Sequence, residues 1–214
     1  MNDSVIYAIG FIAQILFSSR LLVQWIKSEK AGKVLSPTLF WKLSLLASCT
    51  LIIYGVLRQD IVIILGQAVS YYIYIRNLRL KREWFKFSFS VRFLALVLPP
   101  LSFTLLLMTE QYNLQDILFN ASIPAPVLYW GGIGQIIFTF RFVYQWLVSE
   151  KKNESVLPIG FWLISLTGSL IMISYFVIRL DYVLIIGHLF GITVYTRNIM
   201  LWIKDRKVQK SSSQ

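Results

Sequence analysis

Long apolar runs separated by short clusters of charge follow one another along almost the whole chain. Runs approaching the roughly 20 residues that cross a hydrocarbon layer recur at residues 5–26, 38–57, 61–75, 91–108, 127–148, 159–178 and 182–196. The pattern predicts an all-α polytopic membrane protein with seven transmembrane helices. The first run opens with MNDS, which places an acid where a secretory signal carries bases, and no small-residue cleavage pattern follows. It is therefore expected to remain as a helix of the mature protein.

The apolar runs repeat. Sliding the chain on itself by 121 residues aligns 10–80 with 131–201 without a gap, and 29 of those 71 pairs are identical. Chance does not produce that over three consecutive helices, so the chain holds an internal duplication. Each copy carries three spans, so the second would be inverted without one further crossing; residues 91–108 supply it. The expected architecture is two parallel three-helix repeats joined by a linker helix, a 3+1+3 order. Its divisions are 5–80 for the first repeat, 81–126 for a basic loop, the linker helix and an outer loop, 127–203 for the second repeat, and 204–214 for a basic tail. Pro99 and Pro100 fall inside the linker helix, where neighbouring helices are expected to cover the carbonyls they release. Parallel repeats of this kind commonly place a site between the halves.

Composition agrees with the periodicity: 57% of residues are hydrophobic, 14% are charged, and mean hydropathy is +0.65. The net charge of +11 would suit a nucleic-acid partner, but its distribution argues otherwise. Sixteen of the 21 Lys and Arg lie in segments 27–33, 76–92, 151–152 and 197–210, all on one side of the expected membrane, and only Arg58 and Arg179 on the other. The positive-inside bias then puts the N-terminus outside and the C-terminus in the cytoplasm. The basic residues read as topology and contact with anionic lipid, and no nucleic acid is expected. Of the seven tryptophans, Trp25, Trp41, Trp84, Trp146, Trp162 and Trp202 fall near the cytoplasmic interface and Trp130 near the outer one, positions suited to anchors. One cysteine, Cys49, and one histidine, His188, build neither a disulfide framework nor a metal site. No metal and no cofactor are expected.

Within the repeats the polar residues form a stripe. Gln14, Phe17, Arg20, Gln24, Trp25 and Ser28 lie within about 140° of one another on a helical wheel, and Gln135, Phe138, Arg141, Gln145, Trp146 and Ser149 repeat them. An arginine inside a membrane costs several kcal/mol unless it snorkels, pairs or faces a wet cavity. Two readings stand: Arg20 and Arg141 reach the cytoplasmic headgroups, or they face a shared cavity where their planar forks hold phosphate or carboxylate. Trp41 and Ser44, with Trp162 and Ser165, would wall that cavity, or the serines serve close helix packing through Ser44-x-x-x-Ser48 and Ser165-x-x-x-Ser169. Arg76 and Asn77, with Arg197 and Asn198, end the third helices as stop-transfer anchors or as headgroup ligands at the rim. Arg58-x-Asp60 and Arg179-x-Asp181 suit ion pairs or caps in short outer turns. His188 replaces Gln67 and is expected either to hydrogen-bond in place or to carry a proton-linked role. Ser36 is a natural cap for the second helix, Pro37 and Pro158 suit its first position and that of its copy, and Gly66 and Gly187 are expected at close backbone contacts.

No glycine-rich phosphate loop, paired catalytic carboxylates or nucleophile–base motif occurs, and no loop is long enough to hold a soluble catalytic domain. The reading leans away from an enzyme.

The doubled pattern Q-x-x-F-x-x-R-x-x-x-Q-W-x-x-S-E…P-x-x-F-W-x-x-S…Y-x-x-x-R-x-D…G…Y-x-R-N resembles the N-terminal membrane domain family of lipid-A-disaccharide synthase. The resemblance covers nearly all of the chain outside 81–126 and the tail. It implies a place in lipid A or related envelope glycolipid biosynthesis at the bacterial inner membrane. More distantly, the 3+1+3 order is similar to the PQ-loop and SWEET sugar transporters, although Gln14, Gln24, Gln135 and Gln145 have no proline before them. The leading expectation is a monomer that binds an anionic glycolipid or polyprenyl-phosphate-linked sugar between its repeats and presents or translocates it, with a separate glycosyltransferase as partner. The alternatives are a SWEET-like uniporter of a neutral sugar and the glycosyltransferase activity that the family name implies.

Overall fold

The computed structural model describes residues 3–57, 61–108, 124–178, 180 and 182–211. Among these the chain is helical throughout, with no strand. Helix α1 spans Asp3–Ala31, α2 Thr38–Leu57, α3 Ile61–Leu80, α4 Phe89–Leu107, α5 Ala125–Lys152, α6 Ile159–Ile178 and α7 Tyr182–Ser211, and a short 3-10 helix, Trp84–Lys86, precedes α4. Helices α2 and α6 have the bounds that the apolar runs predict. Helices α1, α3, α5 and α7 continue into the charged segments that follow their runs. Among the described residues three helices are long and apolar enough to cross a membrane, over Ser4–Ala31, Thr38–Leu57 and Ile159–Ile178; the apolar stretch Phe89–Leu105 is shorter. The Arg58-x-Asp60 and Arg179-x-Asp181 turns lie outside the described residues.

Backbone geometry explains where two of the long helices stop. Gly32 ends α1 at φ 66° and Asn153 ends α5 at φ 49°, the left-handed conformation that glycine and asparagine adopt most cheaply at a helix end. The two residues occupy equivalent positions of the duplication, so both copies turn by the same device. The Asn153 N–H donates to the Glu150 carbonyl at 3.1 Å, and the Glu154 N–H to that of Ser149 at 3.2 Å. Pro37 and Pro158 stand immediately before α2 and α6 rather than inside them. The Ser36 hydroxyl lies 3.1 Å from that of Ser155.

The chain folds as two compact units, one formed by Met1–Arg20 with Thr38–Ser122 and the other by Leu21–Pro37 with Ile123–Gln214. Helix α1 thus contributes its first part to one and its last turns to the other. In the first unit α2 packs on α3, and α4 packs against both. Phe40, Trp41, Tyr71, Tyr74 and Leu78 form its interior. Pro100 in α4 removes the N–H that would serve the Leu96 carbonyl. The Tyr72 hydroxyl donates to that carbonyl at 3.3 Å from α3, which is how a proline-bearing linker helix stays satisfied in a bundle.

In the second unit α6 packs on both α5 and α7 around Phe142, Phe161, Trp162, Val194 and Tyr195. Gly168 lets α6 approach α5 closely, since a Cβ there would lie 3.0 Å from the Phe138 backbone. Gly66 differs from its expectation: a Cβ built on it meets nothing within 4 Å, so that glycine serves no close contact. Trp41, Trp84 and Trp162 also depart from the anchor role, at 0%, 2% and 0% exposure. Their position beside basic loops suggested the interface; packing decides instead, because each ring is large enough to fill the space between helices.

Candidate functional site: a buried arginine in each repeat

Arg20 lies on α1 one turn beyond Phe17, and the fold brings α2 and α3 against it. Its Nη1 donates to the Ser44 hydroxyl and to the Tyr74 hydroxyl, both at 3.0 Å. The guanidinium also stands 4.6 Å from the Phe17 ring centroid and 5.5 Å from that of Phe40. Ser44 in turn donates to the Phe40 carbonyl at 2.6 Å, so it uses its proton on its own helix and offers a lone pair to the arginine. The result is a charged fork held by three helices at only 5% exposure.

The second unit repeats the arrangement. Arg141 Nη1 donates to the Tyr195 hydroxyl at 3.2 Å, and the guanidinium stands 3.4 Å from the Phe138 ring centroid. Ser165 donates to the Phe161 carbonyl at 2.5 Å. The aromatic frame matches to a few tenths of an ångström: Phe40 meets Trp41 edge-on at 4.8 Å and Phe161 meets Trp162 at 4.9 Å, while Trp41–Tyr74 and Trp162–Tyr195 are 6.2 Å and 6.1 Å apart. At 6% exposure Arg141 is as enclosed as Arg20. Trp41, Ser44, Trp162 and Ser165, expected as cavity walls, are fully buried around these forks.

The glutamines divide into two kinds. Gln24 and Gln145 are fully buried and clamp the turns that follow their helices. Gln24 Nε2 donates to the Ser28 hydroxyl at 2.8 Å and to the Leu35 carbonyl at 3.2 Å; Gln145 Nε2 reaches the Ser149 hydroxyl and the Val156 carbonyl, both at 2.8 Å. Those serines accept from the Leu35 and Val156 N–H groups at 3.0 Å and 3.1 Å. The Gln-x-x-x-Ser spacing is thus a loop clamp, built twice. Gln14 and Gln135 are exposed and belong to neither cluster.

Asn77 and Asn198 are fully buried and anchor their amides on the carbonyls of Ile73 and Val194, one turn back, at 2.9 Å. Asn198 also exchanges two hydrogen bonds with Gln24, at 2.8 Å and 3.0 Å. Arg197 forms a two-pronged ion pair with Glu29, its Nε donating at 2.8 Å. Arg76 lines a separate basic cleft with Arg79 and Arg92. The structure therefore gathers Arg20 with Ser44, Tyr74 and Phe40, and Arg141 with Tyr195, Phe138 and Phe161, but distributes the remaining predicted site residues over the loop clamps and the helix ends. His188 hydrogen-bonds in place, its Nδ1 lying 3.1 Å from the Ser169 hydroxyl just as Gln67 accepts from Ser48 at 2.8 Å.

Tyr74 and Tyr195 were missed as site residues. A signal for them exists: each lies 54 residues beyond its arginine, and both pairs are identical in the duplication.

The family profile described as Lipid A Biosynthesis N-terminal domain matches residues 9–79 and again 130–200. The chain belongs to that family. The two matches coincide with the two copies that build the arginine sites, so the family profile matches each copy separately. Among curated relatives, lipid-A-disaccharide synthase of Chlamydia felis (strain Fe/C-56) is 32% identical over 214 residues, covering 95% of this chain and 34% of the relative. The same enzyme of Chlamydia caviae is 30% identical over 219 residues, covering 98% and 35%, and that of Chlamydia pneumoniae 27% over 207 residues, covering 95% and 34%. The chain thus spans about a third of the length of the curated relatives it matches. No solved structure gives a significant match, and the expected likeness to SWEET and PQ-loop proteins finds no support among the comparisons.

Proposed function

We propose that the chain is a seven-helix inner-membrane protein of lipid A or related envelope glycolipid biosynthesis, with its N-terminus outside and its C-terminus in the cytoplasm. It binds a phosphate-bearing lipid-linked sugar and presents or translocates it for a separate glycosyltransferase. The observation that carries this reading is one guanidinium enclosed at the same place in both family domains, at 5% and 6% exposure. A guanidinium is planar, stays charged at any physiological pH and presents paired donors that match phosphate oxygens. In a membrane interior such a group marks a functional site by default.

In this reading Tyr74, Ser44 and Phe17 hold the Arg20 fork in place, Tyr195 and Phe138 hold that of Arg141, and each fork engages phosphate within its own unit. Gln14 and Gln135, each exposed on the stripe of its own helix, meet sugar. Gln24 and Gln145 keep the turns that follow their helices rigid. The disaccharide synthase activity in the relatives' names belongs to chains about three times as long, and the residues that would catalyse it are not among the motifs found here.

A second reading draws on the same bonds: Arg20 connects three helices, which is what a structural brace does. Native mass spectrometry of the purified protein separates the two. Under the binding reading, Arg20→Gln with Arg141→Gln loses a co-purifying lipid-linked sugar, told from an ordinary phospholipid by its mass, that the parent protein retains. Retention of that lipid-linked sugar together with a lowered melting temperature would leave the arginines as braces and the binding reading wrong.

A further inference from the structure

The first unit contains a cleft that the duplicated motifs do not account for. It measures about 690 Å³ and opens where the end of α3, the 3-10 helix and the start of α4 meet, with Arg76, Arg79 and Arg92 lining it beside Phe85, Phe89 and Phe93. The nearby acid is committed elsewhere: Glu83 is held by Lys42 at 2.7 Å and by Lys86 at 2.6 Å. Among the described residues no carboxylate pairs with Arg79 or Arg92. The Arg79 guanidinium stands 5.8 Å from the Trp84 ring centroid. The Arg92 Nε is buried, and no described group accepts a hydrogen bond from it. Clustered guanidiniums repel one another, so a cleft built this way is completed by an anion.

The apolar side of the cleft narrows the choice of anion. Phe89, Phe93 and Leu96 follow one another at four and three residues along one face of α4, and all three are exposed, at 75%, 54% and 37%. The Phe89 and Phe93 rings stack at 6.2 Å. A free phosphate would use the guanidiniums and leave this stripe bare. A phosphate carrying hydrocarbon chains uses both. We propose that the cleft binds the phosphate headgroup of an anionic membrane lipid, whose chains lie along Phe89, Phe93 and Leu96. This site is separate from the buried Arg20 and Arg141 forks and stands whether or not those forks bind a ligand.

The test uses the full chain in detergent micelles, with phosphatidic acid and phosphatidylcholine of the same chains supplied at equal concentration and retained lipid counted by native mass spectrometry. Arg79→Gln with Arg92→Gln lowers the retained ratio of phosphatidic acid to phosphatidylcholine by roughly thirty-fold, the effect of two headgroup-level cations. Lys207→Gln with Lys210→Gln, which removes the same charge from the tail, leaves the ratio in place; an equal fall there would reduce the cleft to net charge and overturn the assignment. Inorganic phosphate added alone does not displace phosphatidic acid from the parent protein. Full displacement would make the site one for free phosphate and sink the lipid reading. Phe89→Ser with Phe93→Ser, on an exposed face that folding does not need, lowers retention with the arginines intact, and unchanged retention refutes the placement of the chains. That variant also carries the test if the arginine variant aggregates.

Discussion

Replacing Tyr74 by phenylalanine removes one oxygen from the Arg20 site and almost nothing else. The ring keeps its place 6.2 Å from Trp41 and 5.6 Å from the guanidinium carbon, so the packing and the cation–π contact remain. What is lost is the 3.0 Å bond from Arg20 Nη1, one of two that this nitrogen makes, in a site of 5% exposure. A hydrogen bond to a charged group contributes about 1.5–3 kcal/mol in a soluble protein, and those between membrane helices average about 0.6 with a maximum near 1.7. The charged donor and the enclosure put this bond at the upper end of the membrane range, about 1–2 kcal/mol. Tyr195→Phe should cost less, because the Arg141 bond is longer at 3.2 Å and its guanidinium rests closely on Phe138 at 3.4 Å. The measurement is reversible unfolding of the purified protein in mixed micelles, arranged as a double-mutant cycle of Arg20→Met and Tyr74→Phe. The control cycle pairs Arg20→Met with Tyr71→Phe, whose hydroxyl contacts the Cys49 sulfur at 3.2 Å instead. A coupling between Arg20 and Tyr74 no larger than the control coupling would refute the bond as an organising contact of the site.

Two further outcomes follow from other parts of the structure. Gln24→Leu strips the donor from the Leu35 carbonyl and from the Asn198 side-chain oxygen while both stay enclosed; an unsatisfied buried group costs about 1–3 kcal/mol, so the melting temperature should fall clearly, and an unchanged one would show that the clamp carries no stability. Glu83, held down to a pKa of about 2 from 4.5 by Lys42 and Lys86, stabilises the fold while ionised. Its contribution is therefore complete above about pH 4.5 and fades as pH falls toward 2, so the melting difference between the parent and Glu83→Gln should be constant near neutrality and shrink below that point; a difference independent of pH would remove the ion pairs from the account.

The three-helix unit was legible because the duplication states it twice, and α2 and α6 were legible to the residue because their ends coincide with the ends of their apolar runs. Helices α1, α3, α5 and α7 were underestimated for a physical reason: hydropathy falls where charge begins, whereas a helix ends where its backbone is turned, as at Gly32 and Asn153. The arginines stood out as charges in apolar runs. Their tyrosine partners did not, because a tyrosine near a basic loop reads as an interface residue, and only the shared spacing of 54 residues tied it to the arginine. Trp41 and Trp162 were misread on the same grounds. The reciprocal amide pair of Gln24 and Asn198, 174 residues apart, lies beyond any local pattern.

Where the two copies differ is itself informative. Some differences preserve geometry by another chemical route: Gln67 and His188 each meet the same serine, and Gly32 and Asn153 make the same turn. Others do not. Lys42, paired with Glu83, stands where the second copy has Leu163, which is 48% exposed; Arg79, over Trp84, stands where it has Met200, which is 52% exposed. Both residues face the segment of the 3-10 helix. The copies thus agree around the buried arginines, where each must hold the same fork, and part company where the first copy packs against the linker. The basic cleft follows from that divergence, because its Arg79 and Arg92 have no equivalents in the second repeat. A device present in both repeats and one present in only the first are therefore expected to fail independently: loss of the forks should leave lipid in the cleft, and loss of the cleft should leave both forks in place.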